Sequence, residues 1–389
     1  MSFEAVLERF PLDECLRRIA AARPEDVDAA LAAPTVGWEE FLALLSPAAE
    51  AALEPLARRA RRLTRERFGR VVQLYAPLYV SSECTNACVY CGFHRDNPIR
   101  RTTLSVDEAY DEAMALWTRG FRSVLLVSGE APRAVPVAYF QELARRLHTR
   151  FASVSIEIYP LGIEEYARLI AAGVDGLTIY QETYDRDLYR RVHPAGRKAD
   201  YSWRLDAPAR GAEAGMRRVG IGALLGLGEW RREAVALALH ALWLQKRYWQ
   251  TQVCVSFPRL RHAPGGFAPP HPVSDRHLVQ LACALRLLLP DAGLVLSTRE
   301  APAFRDGLAP LCITHMSAGS CTQPGGYTHP DEHDGQFEVE DTRPPVEVAR
   351  RLLELGIEPV WKDWDAAFTP SSALEPEGAS PSESAPLRP

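Results

Sequence analysis

The spacing of hydrophobic and polar positions changes character near residue 70. Before it, apolar residues recur every three to four positions in Arg-, Ala- and Leu-rich runs such as 3–22 and 47–68. That is the period of amphipathic helices. From Val71 onward, short β-rich apolar runs alternate with longer amphipathic ones. The runs 72–80, 123–128, 153–159, 176–181, 219–225, 253–257, 294–298 and 313–317 read as strands. Helical patterns at 106–119, 136–150, 163–172 and 232–249 fall between several of them. Strands and helices in this alternation predict an α/β fold, a parallel (β/α)8 TIM-type barrel. The expected organisation is an N-terminal helical cap over 1–70, the barrel with its substrate-side region over 71–365, and a tail over 366–389. Residues 370–389 are rich in Ser, Pro, Glu and Ala and poor in large apolar side chains, so the tail is expected to be disordered.

Composition narrows the partners. The chain of 389 residues carries 45 Lys and Arg against 50 Asp and Glu, a formal net charge of −5. With no basic block, no nucleic-acid surface is expected. Lys198, Lys246 and Lys362 are the only lysines, which leaves few candidates for a Schiff base. No run is apolar and long enough to span a bilayer. The start, Met1-Ser2-Phe3-Glu4, lacks the basic-then-apolar order of a secretory signal. Eight cysteines in a chain this long do not read as a disulfide framework, and reduced thiols place the protein in the cytoplasm.

The chemistry begins right after the first strand, at Cys84-Thr85-Asn86-Ala87-Cys88-Val89-Tyr90-Cys91. Three thiolates at this spacing can hold three irons of a [4Fe–4S] cluster, whereas full ligation takes four positions. One iron is then left open for a small molecule. CxxxCxxC with an aromatic residue before the last Cys is the signature of radical S-adenosylmethionine (SAM) enzymes. The competing reading is a zinc site with His94 as a further ligand, which would want a paired motif. In a TIM-type barrel, chemistry sits at the C-terminal strand ends, and polar residues collect there. Ser128-Gly129-Glu130 follows the second strand. Gly129 would let a backbone approach a ligand, and Glu130 can accept from an ammonium. Glu157 lies in the third strand, where a carboxylate either points inward or has an ion-pair mate. Tyr180-Gln181-Glu182-Thr183-Tyr184 ends the fourth, and Arg204 offers a planar fork suited to a carboxylate or stands as an ordinary solvated helix residue. Ser297-Thr298-Arg299-Glu300 and the small-residue loop from Ser317 and Ser320 to Tyr327 suit a compact polar substrate. Cys15, Cys254, Cys283 and Cys312 sit among apolar neighbours and read as core residues, and His240 as a helix histidine.

Together with Gly92-Phe93, Gly196-Arg197-Lys198-Ala199-Asp200-Tyr201, Ser256-Phe257-Pro258-Arg259-Leu260-Arg261, Thr322-Gln323-Pro324-Gly325-Gly326-Tyr327 and Pro359-Val360-Trp361-Lys362-Asp363-Trp364-Asp365, these motifs resemble the 2-iminoacetate synthase family. These are the radical SAM tyrosine lyases of thiamine thiazole biosynthesis. The resemblance implies cleavage of the Cα–Cβ bond of L-tyrosine to 2-iminoacetate and 4-cresol, with a [4Fe–4S] cluster and SAM as cofactors. It implies a flavodoxin- or ferredoxin-type electron donor, and thiazole synthase as a partner. By the same resemblance, Cys84, Cys88 and Cys91 are the cluster ligands. Tyr90 meets adenine, Glu130 the SAM amine, Glu182 the ribose and Arg204 the SAM carboxylate. Ser317 and Ser320 face the amino-acid end of tyrosine. Relatives tend to carry Lys or Arg where this chain has Cys321, which turns attention to Arg299 as the partner of the tyrosine carboxylate. A hydrogenase-maturation tyrosine lyase would carry further cysteines after Cys321, and there are none. A sulfur-inserting enzyme like biotin synthase would carry cysteines on the second and third strands, which also have none. A lyase for another aromatic amino acid such as tryptophan, and a non-catalytic iron–sulfur protein, are the alternatives.

Overall fold

The computed structural model describes residues 2–329 and 335–362. The expected tail and the motif residues from Asp363 onward lie outside them.

Eight parallel strands close into a barrel: β1 (Val71–Ser81), β2 (Ser123–Ser128), β3 (Ser153–Glu157), β4 (Gly176–Glu182), β5 (Arg218–Ala223), β6 (Gln252–Ser256), β7 (Gly293–Leu296) and β8 (His315–Ser317). They neighbour one another in chain order, and β1 pairs with both β8 and β2 to complete the ring. All eight strands expected from the pattern are present. The signal was strong because their outward positions are apolar. In β1, Leu74, Ala76, Leu78 and Val80 are fully buried against the outer helices. Inward positions alternate with these and are smaller or more polar. Tyr75 and Tyr79 of β1, Glu157 of β3, Tyr180 of β4, Ser256 of β6 and Ser317 of β8 face the lumen cavity. On β5 the inward residues are Gly220 and Gly222, where a Cβ would press on Thr178 and the Tyr180 ring. The missing side chains make room for Tyr180 to cross the lumen.

Two features differ from the sequence expectation. A ninth strand, β9 (Glu358–Val360), pairs with the start of β1 through Val71, Val72 and Gln73. Its three residues include Pro359, so it left no periodic trace. The single helix expected over 3–22 is two, Phe3–Arg9 and Leu12–Ala21, broken at Pro11 because proline disfavours a helical residue before it.

Residues before β1 form helices that lie on the barrel's outer ring. Helix Leu53–Phe68 packs on Asp275–Leu288 and Pro302–Cys312, and Leu12–Ala21 on Trp230–Arg247. Phe3 stacks on His240 at 4.0 Å between ring centroids, and the imidazole Nδ1 lies 2.9 Å from the Tyr184 hydroxyl. Burial holds His240 neutral, with its pKa pushed down to about 3. The four cysteines read as core residues are all buried. Among the described residues no helix is long and apolar enough to cross a membrane.

Candidate active site

The cysteine loop leaves the C-terminal end of β1 and is tied down on several sides. Arg101 Nη1 donates to Ser82 O (2.7 Å) and Phe93 O (3.0 Å), and its Nη2 to His94 O (2.5 Å), so one guanidinium clasps both ends. Ala87 N donates to Ala195 O and Val89 N to Val192 O, which docks the loop on the segment after β4. Asn86 Oδ1 accepts from Lys198 N at 2.9 Å. Gly196, at φ +95°, supplies the left-handed turn this docking needs, and a Cβ there would overlap Asn86. Gly129 has a different part from the one its motif suggested. A Cβ would collide with Glu83 O and lie 3.1 Å from Cys84 Cβ, so the backbone it lets approach is the cysteine loop.

Cys88 is buried, while Cys84 and Cys91 are half-buried, and Cys91 lines the lumen cavity. Burial raises the Cys88 thiol, which Lys198 opposes and the neighbouring Cys91 and Cys84 reinforce. The three thiols thus sit within electrostatic reach of one another. Among the described residues, no three His, Cys, Asp or Glu side chains converge on a point as one metal ion would require. His94, the further ligand of the zinc reading, accepts at Nδ1 from Asp96 N at 3.1 Å. A cubane spreads its ligands over separate irons and makes no such demand.

Beside the loop lies a buried charge network. Arg204 Nη1 donates to Glu130 Oε1 at 2.7 Å and its Nε to Tyr180 O at 2.7 Å. The solvated helix reading of Arg204 is thereby replaced, since its side chain is only 8% exposed. Lys198 Nζ reaches Glu182 Oε1 at 2.6 Å, and Arg204 Nη2 stands 3.9 Å from the same oxygen. Burial works against the Glu182 carboxylate, but Lys198 and Arg204 overcome it and hold the group below the usual range. Glu182 is the one non-glycine residue with positive φ (70°) among the described residues, at a bulge where β4 slips against β5. Strain of this kind persists where a site over-determines it. The second oxygen of Glu130, Oε2, is buried and has no hydrogen-bond partner. An unpaired carboxylate oxygen in a buried site is costly unless a ligand donates to it. A SAM ammonium beside a three-thiolate cluster fits that vacancy in the hydrogen bonding. Tyr90 lines the same cavity, with its hydroxyl 2.7 Å from His193 Nε2. Burial, then Lys198, pushes the His193 pKa down to about 2, so the ring is neutral.

The cavity continues from Tyr90 and Cys91 down to Tyr75 and Tyr180, with a volume of about 120 Å³. Arg299, Ser317, Ser320 and Glu157 line it. The Arg299 guanidinium lies 3.3 Å from the centroid of the Phe337 ring, and no carboxylate pairs with it among the described residues. Ser317 Oγ accepts from Thr298 N at 3.1 Å, whereas Ser320 Oγ is buried without a partner. Glu157 points inward, with no ion pair to any described residue. Burial and then Glu182 raise its pKa to about 7, against the pull of Arg299, Lys198 and Arg204. Cys321 turns away from this space, with Sγ 3.7 Å from Gln323 O. It is not among the residues that line the cavity.

The fold thus gathers Tyr90, Cys91, Glu157, Glu182, Arg299, Ser317 and Ser320 around one cavity, with Arg204 and Glu130 joined to Glu182 beside it, whereas Thr183 and Tyr184 turn outward to Glu233 and His240. Lys198, His193, Gln336 and Phe337 join them without having been assigned a part from sequence. Gly196 just before Arg197-Lys198 was the available signal for the first. The others depend on chain segments meeting only in three dimensions.

The Radical SAM superfamily profile matches residues 78–240, and the Biotin and Thiamin Synthesis associated domain matches 256–358. The chain is 46% identical over 355 residues to the 2-iminoacetate synthase of Escherichia coli, covering 91% of this chain and 94% of that protein. The Salmonella typhimurium 2-iminoacetate synthase is 45% identical over the same shares. The crystal structure of HydG, a maturase of the [FeFe]-hydrogenase, superposes with a TM-score of 0.85 at 33% identity, over 90% of this chain and 79% of that one. A [4Fe–4S] cluster and SAM are the cofactors of the superfamily. The chain is a radical SAM enzyme and belongs to the 2-iminoacetate synthase family.

Proposed function

We propose that this enzyme cleaves the Cα–Cβ bond of L-tyrosine, giving 2-iminoacetate and 4-cresol, for the thiazole moiety of thiamine. The observation that supports this most is 46% identity across 94% of the Escherichia coli 2-iminoacetate synthase, combined with an aromatic-lined cavity that opens onto the cysteine loop. When bound, the cluster and SAM supply the 5′-deoxyadenosyl radical that takes a hydrogen atom from tyrosine.

In this reading Cys84, Cys88 and Cys91 hold three irons. Glu130 Oε2 accepts from the SAM ammonium, and Arg204 fixes the carboxyl group by its bond to the other oxygen. Arg204 Nη2 and Lys198 supply positive charge for the SAM carboxylate. Glu182 takes the ribose hydroxyls, and Tyr90, anchored by His193, borders adenine. Arg299 receives the tyrosine carboxylate, with Ser320 Oγ and Ser317 at the amino-acid end. The closed barrel keeps water from the reacting carbons.

2-Iminoacetate hydrolyses readily, so direct transfer to thiazole synthase is proposed, with a flavodoxin- or ferredoxin-type protein as electron donor and the reducing cytoplasm as compartment. The test is anaerobic reconstituted enzyme with SAM, dithionite and tyrosine, assayed for 4-cresol and 5′-deoxyadenosine. Both products should depend on tyrosine. Formation of 5′-deoxyadenosine that ignores tyrosine but responds to tryptophan would refute the substrate assignment.

A further inference from the structure

One short segment, 335–341, links four loops of the barrel mouth. Gln336 N donates to Thr322 O, Gly92 N to Gln336 O, Glu338 N to His262 O and Asp341 N to Thr298 O, all at 3.0–3.1 Å. Within it, Gln336 makes two side-chain contacts. Its Oε1 accepts from the Tyr79 hydroxyl at 2.7 Å, and its Nε2 lies 3.5 Å from Cys91 Sγ.

We propose that the Gln336 amide donates a hydrogen bond to the Cys91 sulfur of the bound cluster and thereby raises the cluster's reduction potential. This rests on the assignment of Cys91 as a ligand. The sulfur decides the orientation of the amide, because a thiolate accepts and so takes the NH2 group, which leaves Oε1 to accept from the Tyr79 hydroxyl, a group able to donate or accept. The reverse orientation would set a carbonyl oxygen against a thiolate. The backbone reinforces the placement. Gly92, the residue after Cys91, accommodates the Gln336 carbonyl because it has no side chain, and a Cβ there would lie 2.5 Å from that oxygen. Hydrogen bonds to cluster sulfurs favour the more negative, reduced state and are among the protein's main levers on potential.

The midpoint potential of the reconstituted cluster, measured by dye titration followed by electron paramagnetic resonance without SAM or tyrosine, tests this. Gln336→Leu should disfavour reduction about tenfold, a drop of ~59 mV for one electron. Tyr79→Phe keeps the glutamine but frees its amide, so the potential should fall in the same direction by less. If Gln336→Leu does not fold, Tyr79→Phe alone carries the test. Wild-type protein that assembles no cluster would overturn the ligand assignment itself. A wild-type cluster whose potential is matched by both variants, at equal iron and sulfide content, would overturn only the role of Gln336.

Discussion

Replacing Arg299 with alanine should separate the two small molecules this site is proposed to hold. The guanidinium lines the cavity, rests on the Phe337 ring at 3.3 Å and has no carboxylate partner among the described residues. It is therefore a cation held in place on an aromatic face, within electrostatic reach of Glu157 and Glu182 and not ion-paired to a described carboxylate. A hydrogen bond to a charged group contributes about 1.5–3 kcal/mol. At about 1.4 kcal/mol per decade, its loss corresponds to roughly a 10- to 150-fold rise in the tyrosine requirement. SAM is proposed to bind through Glu130, Glu182 and Arg204, so its requirement should change little. The assay is initial-rate 4-cresol formation, with tyrosine varied at saturating SAM and then SAM varied at saturating tyrosine. Arg299→Lys should fall between, because it keeps a charge but loses the planar fork and the stacking on Phe337. An unchanged tyrosine dependence in Arg299→Ala, or an equal rise for both molecules, would refute the assignment.

Other outcomes follow from the buried charges. Glu130→Gln removes the charge that pairs with Arg204 at 2.7 Å and the acceptor proposed for the SAM ammonium, so SAM affinity measured by equilibrium dialysis should fall at least about tenfold while iron and sulfide content stays at the wild-type level. Unaltered SAM affinity would remove Glu130 from the cofactor site. Arg305 and Asp341 form a fully buried ion pair that Arg343 extends at 2.7 Å. Asp341→Ala leaves Arg305 uncompensated and should cost about 3–5 kcal/mol by denaturant unfolding of the apo protein, and a loss under about 1 kcal/mol would contradict this. Glu157 has a folded pKa near 7 against an ordinary 4.5, so the folded state keeps its proton where the unfolded chain has lost it. Stability from this group therefore falls as pH rises from about 4.5 to 7. At about 1.4 kcal/mol per unit, the fall totals about 3 kcal/mol by pH 8. Glu157→Gln should flatten that part of the stability profile, and an unchanged slope would show the carboxyl is not strained.

The barrel was legible because its pattern is local. Apolar outward residues such as Leu74, Leu78, Val154 and Val255 alternate with inward ones that are more polar or smaller, and amphipathic helical patterns follow several of the strands. The cysteine loop was legible because its three cysteines fall within eight consecutive positions. Glu157 marks where sequence stops deciding, since an inward carboxylate and an ion-paired one look the same along the chain. Gln336 and Phe337 were beyond reach because their partners, Cys91 and Arg299, lie far away in sequence. Gly129 was read toward a ligand, whereas what comes close is Glu83 of the neighbouring loop. Only the packed fold shows which backbone approaches which glycine.

Three thiols on one loop are proposed to carry a cluster whose remaining iron is open to SAM. Electron paramagnetic resonance of anaerobically reconstituted, dithionite-reduced protein, recorded before and after adding SAM, tests it most directly. The expected result is a [4Fe–4S] signal that changes on SAM addition and is lost in Cys84→Ser, Cys88→Ser and Cys91→Ser. A reduced protein with no such signal, or with one that SAM leaves unaltered, would contradict it.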